Sequence, residues 1–536
     1  MPRKRNIFLN LTLVGLFLLG VVVLSQCCKV RVEDTIRADT LMYLRSLSAA
    51  DSINDKVQYP SSLDIDGGWT VYLILYDKGI ERAKGMGKNS SLGGALLTGF
   101  RNTLYADDGT AYLTKNEIDR SRFHVALVPS YCESSSFIEY SGRACELVGD
   151  VVAVRTLTKS KLAAQIMAGK EYLLRMMDVK WHAFFKSYDV QTGTGENRLR
   201  TIYTASSLYT FLKISGHKQD DRINEAILPV ASFLMSMQVT EGKHKGAFYY
   251  SFFPDSHEKE NRFVVGTASK TIFTLIMLYN KTHDEQYLNA AQAAGNWLLS
   301  MQREDGIIYT YAELRNGTWY YGDKFSCLYT GQVLSALSRL YGITHDTRYL
   351  KGAGKIALIL SEKARQENYF LNDDYRYADS PIPTSWAVMS LLDYFKVTHD
   401  MEIQKVLQLS ARELLKRQKK DPRDILNLGR FAGTLATSGN GWINEVLGEL
   451  YTYGNSEEWP GCEEYKEAMI LVSRWLIQNT YSPENSYFLE QPEKAYGGLI
   501  RNQSKETVRT DAVCHGVNGY IMLYDALPDD FHIEFK

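Results

Sequence analysis

The sequence predicts a mainly α protein, an (α/α)6 toroid of helical hairpins over 158–536, preceded by a small α+β domain over 30–156 and an N-terminal membrane segment over 1–28. Three observations predict it. One unit, an aromatic-rich loop, an apolar helix, a Thr-x-Asp turn and a second helix, recurs along the C-terminal part of the chain. Loops after alternate helices are short while those before them are mostly long. A run of apolar residues behind a cluster of cations opens the chain.

The repeat is clearest from Gln302 to Leu350, with a loop carrying Tyr309, Tyr311, Trp319, Tyr320 and Tyr321, a helix from Lys324 to Tyr341 and a turn with Thr344 and Asp346. An earlier copy has Met237-Gln238, a loop with Phe248, Tyr249, Tyr250, Phe252 and Phe253, a helix from Phe263 to Tyr279, and Thr282 with Asp284. A later copy has Gln366, Tyr369, Phe370, Tyr375 and Tyr377, a helix from Pro381 to Phe395, and Thr398 with Asp400. Self-similarity at the length of one helical hairpin plus its loop marks an array of supersecondary units. Twelve helices follow from it, near 158–177, 198–214, 221–238, 263–280, 285–302, 324–341, 347–365, 381–396, 401–419, 434–453, 462–479 and 508–526. Short turns at one end and long loops at the other suit a closed ring that buries its apolar faces and presents the long loops at a single mouth. Small residues mark the inner helices, among them Ala205, Ser206, Gly266, Ser269, Gly331, Ser385, Gly439, Gly441, Gly516 and Gly519.

Composition bounds the rest. A chain of 536 residues with 45% hydrophobic and 23% charged residues is globular and large enough for two or three domains. Net charge is −1 with no strong basic or acidic block beyond the N-terminus, so no nucleic-acid partner is expected. The seven cysteines include no C-x-x-C pair, so neither a disulfide framework nor a structural metal cluster is indicated, although Cys132 and Cys145 can close a small loop in an oxidising compartment. No cofactor and no metal site is expected.

Arg3, Lys4 and Arg5 precede the apolar run from Ile7 to Ser25, which fits an uncleaved anchor or a signal peptide. Leu24-Ser25-Gln26-Cys27 looks like a lipoprotein box, with Gln26 where that motif has a small residue. The positive cluster keeps the N-terminus inside, which makes the membrane a partner and the main body extracytoplasmic. The α+β domain reads as a helix over Thr35 to Leu47, a strand over Trp69 to Tyr76, a helix over Leu92 to Leu104, a strand over Phe123 to Val128 and another over Asp150 to Thr156. Asp64, Gly67 and Gly68 mark a turn before the first strand, and Asp107, Asp108 and Gly109 another. A strand with a basic hairpin end (Lys78, Arg82, Lys84) followed by a helix opened by Ser90 and Ser91 resembles in outline the AMMECR1-type domain, a resemblance that implies a fold and no catalytic motif.

The mouth loops combine aromatic rings with carboxylates and arginines: Tyr249 and Tyr250; Tyr309, Tyr311 and Glu313; Trp319, Tyr321 and Asp323; Asp374; Tyr496. Sugar rings stack their apolar faces on aromatics and offer hydroxyls to charged groups, so this mixture suits a carbohydrate ligand; the alternative is that the rings glue long loops to the rim. Tyr496-Gly497-Gly498-Leu499 leads to Arg509-Thr510-Asp511-Ala512-Val513-Cys514-His515. Here the chain resembles the six-hairpin carbohydrate-processing toroids, which include glycoside hydrolases, polysaccharide lyases and sugar epimerases. The resemblance implies the fold and a last inner helix that carries Arg-x-Asp and a His one turn later; the residues themselves make Asp511 and His515 the catalytic candidates and Arg509 a bidentate binder of a substrate carboxylate. Asp511 and His515 lie four apart on one helix face, where a carboxylate can orient an imidazole; the alternative is an Asp favoured in a first helical turn and a core histidine. Cys514-His515-Gly516 also looks like the zinc dyad of lanthionine-synthetase-like toroids, but the partner Trp-Cys segment is missing. No Asp-x-Asp-Asp stretch supports a terpenoid cyclase. The expected function is therefore an extracytoplasmic, membrane-tethered protein that acts on or binds glycans, with a non-catalytic envelope scaffold as the alternative.

Overall fold

The computed structural model describes residues 34–49, 58–77, 80–106, 111–129, 146–149, 153–373, 379–422, 424–434, 436–486, 489–502 and 505–535. The apolar run from Ile7 to Ser25, the candidate pair Cys132 and Cys145, the turn at Asp107 to Gly109, Lys78, Asp374, Tyr375 and Tyr377 all lie outside the described residues. No helix among the described residues is long and apolar enough to cross a membrane.

The first domain is a four-stranded antiparallel sheet in the order β2-β1-β3-β4, formed by β1 (Asp66–Asp77), β2 (Ile80–Ser91), β3 (Arg122–Pro129) and β4 (Glu146–Gly149). Helices α1 (Asp34–Ala49) and α2 (Leu92–Leu104) and the short α3 (Lys115–Arg120) accompany it. Alternate residues of the central strands, Val71, Leu73 and Leu75 with Phe123, Val125 and Leu127, share a core with Leu44, Leu96 and Phe100 of the helices. The opposite face presents Ala126 and Val128 to the core of the second domain. Strand β2 escapes the sequence pattern because it alternates cations with small residues. Gly87 must be small: a Cβ there would lie 2.1 Å from the carbonyl oxygen of Ala95 on α2. The expected turn at Gly67 and Gly68 is instead a bulge inside β1, where the register shifts between Asp66 and Trp69. Of the single strand expected over Asp150 to Thr156, residues 150–152 lie outside the described residues, 153–155 are not in a strand, and Thr156 opens β5 (Thr156–Thr158).

All twelve helices of the second domain form. The outer ones are α4 (Lys159–Met176), α6 (Asp221–Ser236), α8 (Glu285–Ser300), α10 (Thr347–Gln366), α12 (Met401–Leu415) and α14 (Glu463–Gln478). The inner ones are α5 (Thr201–His217), α7 (Val265–Thr282), α9 (Cys327–Thr344), α11 (Pro381–Thr398), α13 (Thr437–Ser456) and α15 (Thr510–Ala526). Each inner helix packs on the next inner one, and α15 packs back on α5 to close the ring. The first helix, α4, packs on the last, α15, so one hairpin is assembled from the two ends of the domain. Short strands edge the loops, among them β6 (Ser187–Asp189) ahead of α5 and β7 (Arg262–Val264) ahead of α7. The last strand, β8 (His532–Glu534), pairs antiparallel with β5 and ties the two ends of the domain together.

The recurring turns are Thr-His-Asp in all three copies. His283, His345 and His399 take positive φ of 56°, 55° and 54° and end their inner helices in the left-handed conformation. Each ring lies edge-on to an aromatic one turn earlier, Tyr279, Tyr341 or Phe395. The following Asp284, Asp346 or Asp400 then caps the next outer helix by accepting a backbone N–H. The glutamine of the repeat is a loop anchor: Gln238 Nε2 donates to the Gly246 and Ala290 carbonyls at 3.2 and 2.8 Å, and Gln302 and Gln418 repeat this. Gln366, which stands at the same point of the sequence repeat, does not; its amide donates to Glu362 of its own helix.

Arg474 of α14 pins the junction between the domains. Fully buried, it donates to the carbonyls of Val154 (2.8 Å), Leu428 (2.8 Å) and Ile425 (2.9 Å) and to the Gln478 side chain. Arg474→Met keeps the bulk and orphans those acceptors. It should lower stability by about 3 kcal/mol or more, read as a lower denaturant midpoint, and a midpoint equal to wild type would show that the guanidinium holds nothing.

Candidate active site

The inner helices are aligned in register, and this builds the interior in layers. The sixth residue of each inner helix is Ser206, Lys270, Gln332, Trp386, Trp442 and His515 in turn. Contacts join them across the bore: Trp386 stacks on Trp442 at 3.8 Å, the His515 ring meets Trp442 edge-on at 5.2 Å, and Lys270 Nζ lies 4.4 and 4.9 Å from the Trp442 and Trp386 ring centres. Three residues further along come Tyr209, Phe273, Met389, Glu445 and Asn518, which line the same cavity. Four further still, Lys213 pairs with Glu449 at 3.6 Å and Arg339 with Asp393 at 2.9 Å. Like positions meet like positions only if the six helices run parallel, so all six N-termini point to one mouth.

Small residues permit this. A Cβ on Gly441 would lie 3.2 Å from the Cβ of His515, so α13 and α15 approach almost backbone to backbone. That contact places His515 against Glu445: Nδ1 donates to Glu445 Oε2 at 2.7 Å, and Asn518 Nδ2 donates to Oε1 at 3.3 Å. Burial alone would raise the Glu445 carboxyl, but the hydrogen bond and charge of His515, with Lys270 and Lys213 nearby, outweigh it and hold it down at about 2. An ionised carboxylate only accepts, so Nδ1 carries the proton of this bond, and Nε2 is the ring nitrogen left for proton exchange. Lys270, by contrast, makes no hydrogen bond or ion pair to a carboxylate among the described residues, and burial pushes its ammonium down to about 8 against the pull of Glu445. Three buried polar atoms in this group are unpartnered among the described residues, Gln332 Oε1, Trp442 Nε1 and Asn518 Oδ1. The cavity at this level measures about 20 Å3, room for a water molecule rather than a sugar ring.

Spacing along the sequence pairs Asp511 with His515, and the structure pairs them differently. Arg509 grips Asp511 through Nε (2.9 Å) and Nη2 (2.6 Å), and Nη2 also donates to the Tyr203 hydroxyl at 3.0 Å. Burial would raise the Asp511 carboxyl, but Arg509 keeps it low. Arg509 is therefore engaged, not held open for a ligand carboxylate. The partner of His515, Glu445, lies 70 positions away in the chain and carries no local motif. Its signal in the sequence is only that a glutamate stands on the small-residue side of an inner helix.

The loop aromatics divide into two groups. Trp319 stacks on Phe263 at 5.4 Å and touches His244 at 4.2 Å, Tyr249 meets Phe263 at 5.4 Å, and Tyr309 meets Tyr321 at 5.4 Å. This group continues to Trp297 of the outer helix α8, so these four rings fasten loops to the rim. Tyr250 and Tyr311 belong to the mouth: Arg200 and Arg262 lie 5.0 and 5.6 Å from the Tyr250 ring, and Arg262 lies 4.8 Å from Tyr311. Arg200 and Arg509 are the residues immediately before α5 and α15. Glu313 pairs with Arg315 at 2.6 Å, Asp323 is exposed, and Tyr496 offers its carbonyl to Arg175. Cys514 turns toward Ser207 at 3.6 Å, and burial pushes its thiol up to about 12.

The Glu445 carboxyl lies below its ordinary 4.5 in the fold. It therefore adds stability above pH 4.5 that is lost as pH falls toward about 2. Glu445→Gln should flatten the loss of thermal stability in that window, measured by melting curves across the acid range. Parallel losses in the two proteins would mean that the carboxylate is not ionised in the folded state.

No family model and no curated protein matches the sequence. Solved structures do match it. Cellobiose 2-epimerase from Bacillus thermoamylovorans superposes with a TM-score of 0.53 at 11% identity, over 69% of this chain and 99% of that one. A GH76 α-mannanase from Bacteroides thetaiotaomicron gives 0.51 at 13% identity over 68% and 96%. A sugar epimerase from a ruminal bacterium gives 0.51 at 12% identity over 67% and 98%. At such identities the likeness is one of fold, and the second domain is an (α/α)6 toroid of the kind these carbohydrate-processing proteins share.

Proposed function

We propose that the protein is a carbohydrate-active enzyme that works at the mouth of the toroid, with its main body outside the membrane and tethered to it. The observation that carries the reading is the His515–Glu445 pair at the floor of an aromatic and arginine-lined mouth. Glu445 fixes the tautomer and supports the imidazolium, and Nε2 faces the cavity as a general base or, once protonated, a general acid. The chemistry this favours is proton transfer at a sugar carbon, as in epimerisation or β-elimination. Glycoside hydrolysis of the usual kind needs one carboxylic acid kept neutral, and both carboxylates beside His515, Glu445 and Asp511, are held low.

The narrow bore favours a second reading, in which the mouth binds glycans without turning them over. A substituent of a sugar fits beside His515, whereas a ring does not. The two readings separate on product: incubation with acidic and neutral oligosaccharides should change the epimer ratio or generate unsaturated ends seen by ultraviolet absorbance. Binding without product across that panel would leave the scaffold reading.

His515→Ala is a poor probe, since it strands a buried carboxylate and should cost about 3–5 kcal/mol. The histidine is part of the packed interior, not a group at a solvent-filled mouth that contributes little to folding. His515→Gln keeps a donor for Glu445 and removes the titrating nitrogen. It should abolish turnover while the melting temperature stays close to wild type, and retained turnover would remove His515 from the mechanism.

Tethering rests on Arg3 to Arg5 ahead of the Ile7 to Ser25 run. C-terminal reporter fusions should be active only outside the cytoplasm, and fusions active only inside would reverse the topology.

A further inference from the structure

We infer that the saccharide bound at this mouth is acidic, its carboxylate drawn to a cationic arc formed by Lys186 and Arg262 at the rim and Lys270 at the floor. The inference rests on the glycan reading above and names the class of glycan.

Three observations on three different loops or helices carry it. Lys186 stands next to β6, whose Ser187 pairs with Arg509. Burial and the nearby Arg509, Arg200 and Arg501 outweigh the attraction of Glu196 and push its ammonium down, and among the described residues it makes no hydrogen bond or ion pair to a carboxylate. Arg262 opens β7 just ahead of α7, with its guanidinium between Tyr250 and Tyr311 and no carboxylate of the described residues bonded to it. Its Nε–H is buried without an acceptor there. Lys270 is the third such cation, below the other two and over the Trp442 face.

Several neighbouring cations are already paired with carboxylates. Arg200 is paired with Glu196 at 3.1 Å, Arg198 with Glu260 at 3.3 Å and Arg509 with Asp511 at 2.6 Å. Deeper in the bore Lys213 and Lys396 share Glu449, and Arg339 pairs with Asp393. Lys186, Arg262 and Lys270 are thus left without a bonded carboxylate among the described residues, on neighbouring elements of the ring, and Arg262 stands beside the faces of Tyr250 and Tyr311. Six parallel helix N-termini around the same opening add partial positive charge. Partly buried cations without a bonded carboxylate cost stability, and an anionic ligand that supplies such a bond recovers it. Planar guanidinium beside tyrosine rings matches a carboxylate carried on a sugar ring better than a bare ion does.

The test measures binding to the full-length protein by calorimetry for trigalacturonate, a hyaluronan tetrasaccharide and a heparin tetrasaccharide. Methyl-esterified trigalacturonate, mannotriose and cellotriose are the neutral comparison, and polyaspartate is the control for charge alone. At least one acidic saccharide should bind about tenfold or more tighter than every neutral one, with the advantage shrinking as salt rises through roughly 0.05 to 0.5 M. Lys186→Gln with Arg262→Gln should erase most of that advantage, and Lys186→Gln alone, at a half-buried site with no bonded carboxylate, should erase part of it without disturbing the fold. Tighter binding of the neutral set, or an advantage untouched by Lys186→Gln in a folded protein, would overturn the acidic class while leaving the glycan reading in place. Polyaspartate binding as tightly as the acidic sugars would reduce the arc to a general anion site and overturn the inference. No binding by any saccharide would overturn the glycan reading itself.

Discussion

Close parallel packing of the six inner helices is the constraint on which the rest of this structure depends. Glycines, alanines and serines on their facing sides let the backbones approach, as Gly441 does against His515 and as Gly331 does against Trp386, whose carbonyl oxygen would lie 3.0 Å from an added Cβ. Side chains at equal positions along the helices then meet in layers, and a residue's place in the bore follows from its count from the helix start. His515, Trp442, Trp386 and Lys270 belong to one site because each is sixth in its helix. The same parallel arrangement brings every inner N-terminus, and every long loop, to one opening. A bulky substitution on a facing side would act on the site by breaking the register, far from any functional group.

The bore is filled with ionised groups, which is costly unless they compensate one another. Glu449 serves Lys213 and Lys396, Asp393 serves Arg339, and Glu445 serves His515. Among the described residues this network leaves Lys270 as the cation of the bore without a bonded carboxylate. Above it, aromatic rings divide by their partners. Those that meet other rings hold loops in place, and those that meet guanidinium groups line the opening. The distinction matters because a ring that reads from sequence as a ligand platform can have its face already covered, as Trp319 has by Phe263.

Much of the architecture is legible in the sequence, and much of the site is not. The repeat, the twelve helices and the alternation of loop lengths are local or periodic signals. Apolar spacing, small residues and the Thr-x-Asp turn act within a helix or across one turn, so reading along the chain recovers them. The turn works through a histidine in a left-handed conformation and an aspartate cap, both fixed by neighbours within five residues. Spacing likewise brings Asp511 and His515 to notice together. Strand β2 escapes such a reading because it alternates cations with small residues instead of polar with large apolar ones, and its pairing with β1 is what makes it a strand.

What the sequence alone determined, then, is the ring: hydrophobic periodicity fixes which faces are buried, and closure is the way twelve such faces are covered. Only the tertiary structure decided who pairs with whom inside it. Arg509 closes on Asp511 two residues away and His515 takes Glu445 from another helix, because side-chain direction in the bore depends on the register between helices that are neighbours in space and not in sequence. The joining of α4 to α15 and of β5 to β8 has the same origin. So has the isolation of Lys270, since a cation is unpaired only with respect to everything the fold brings around it.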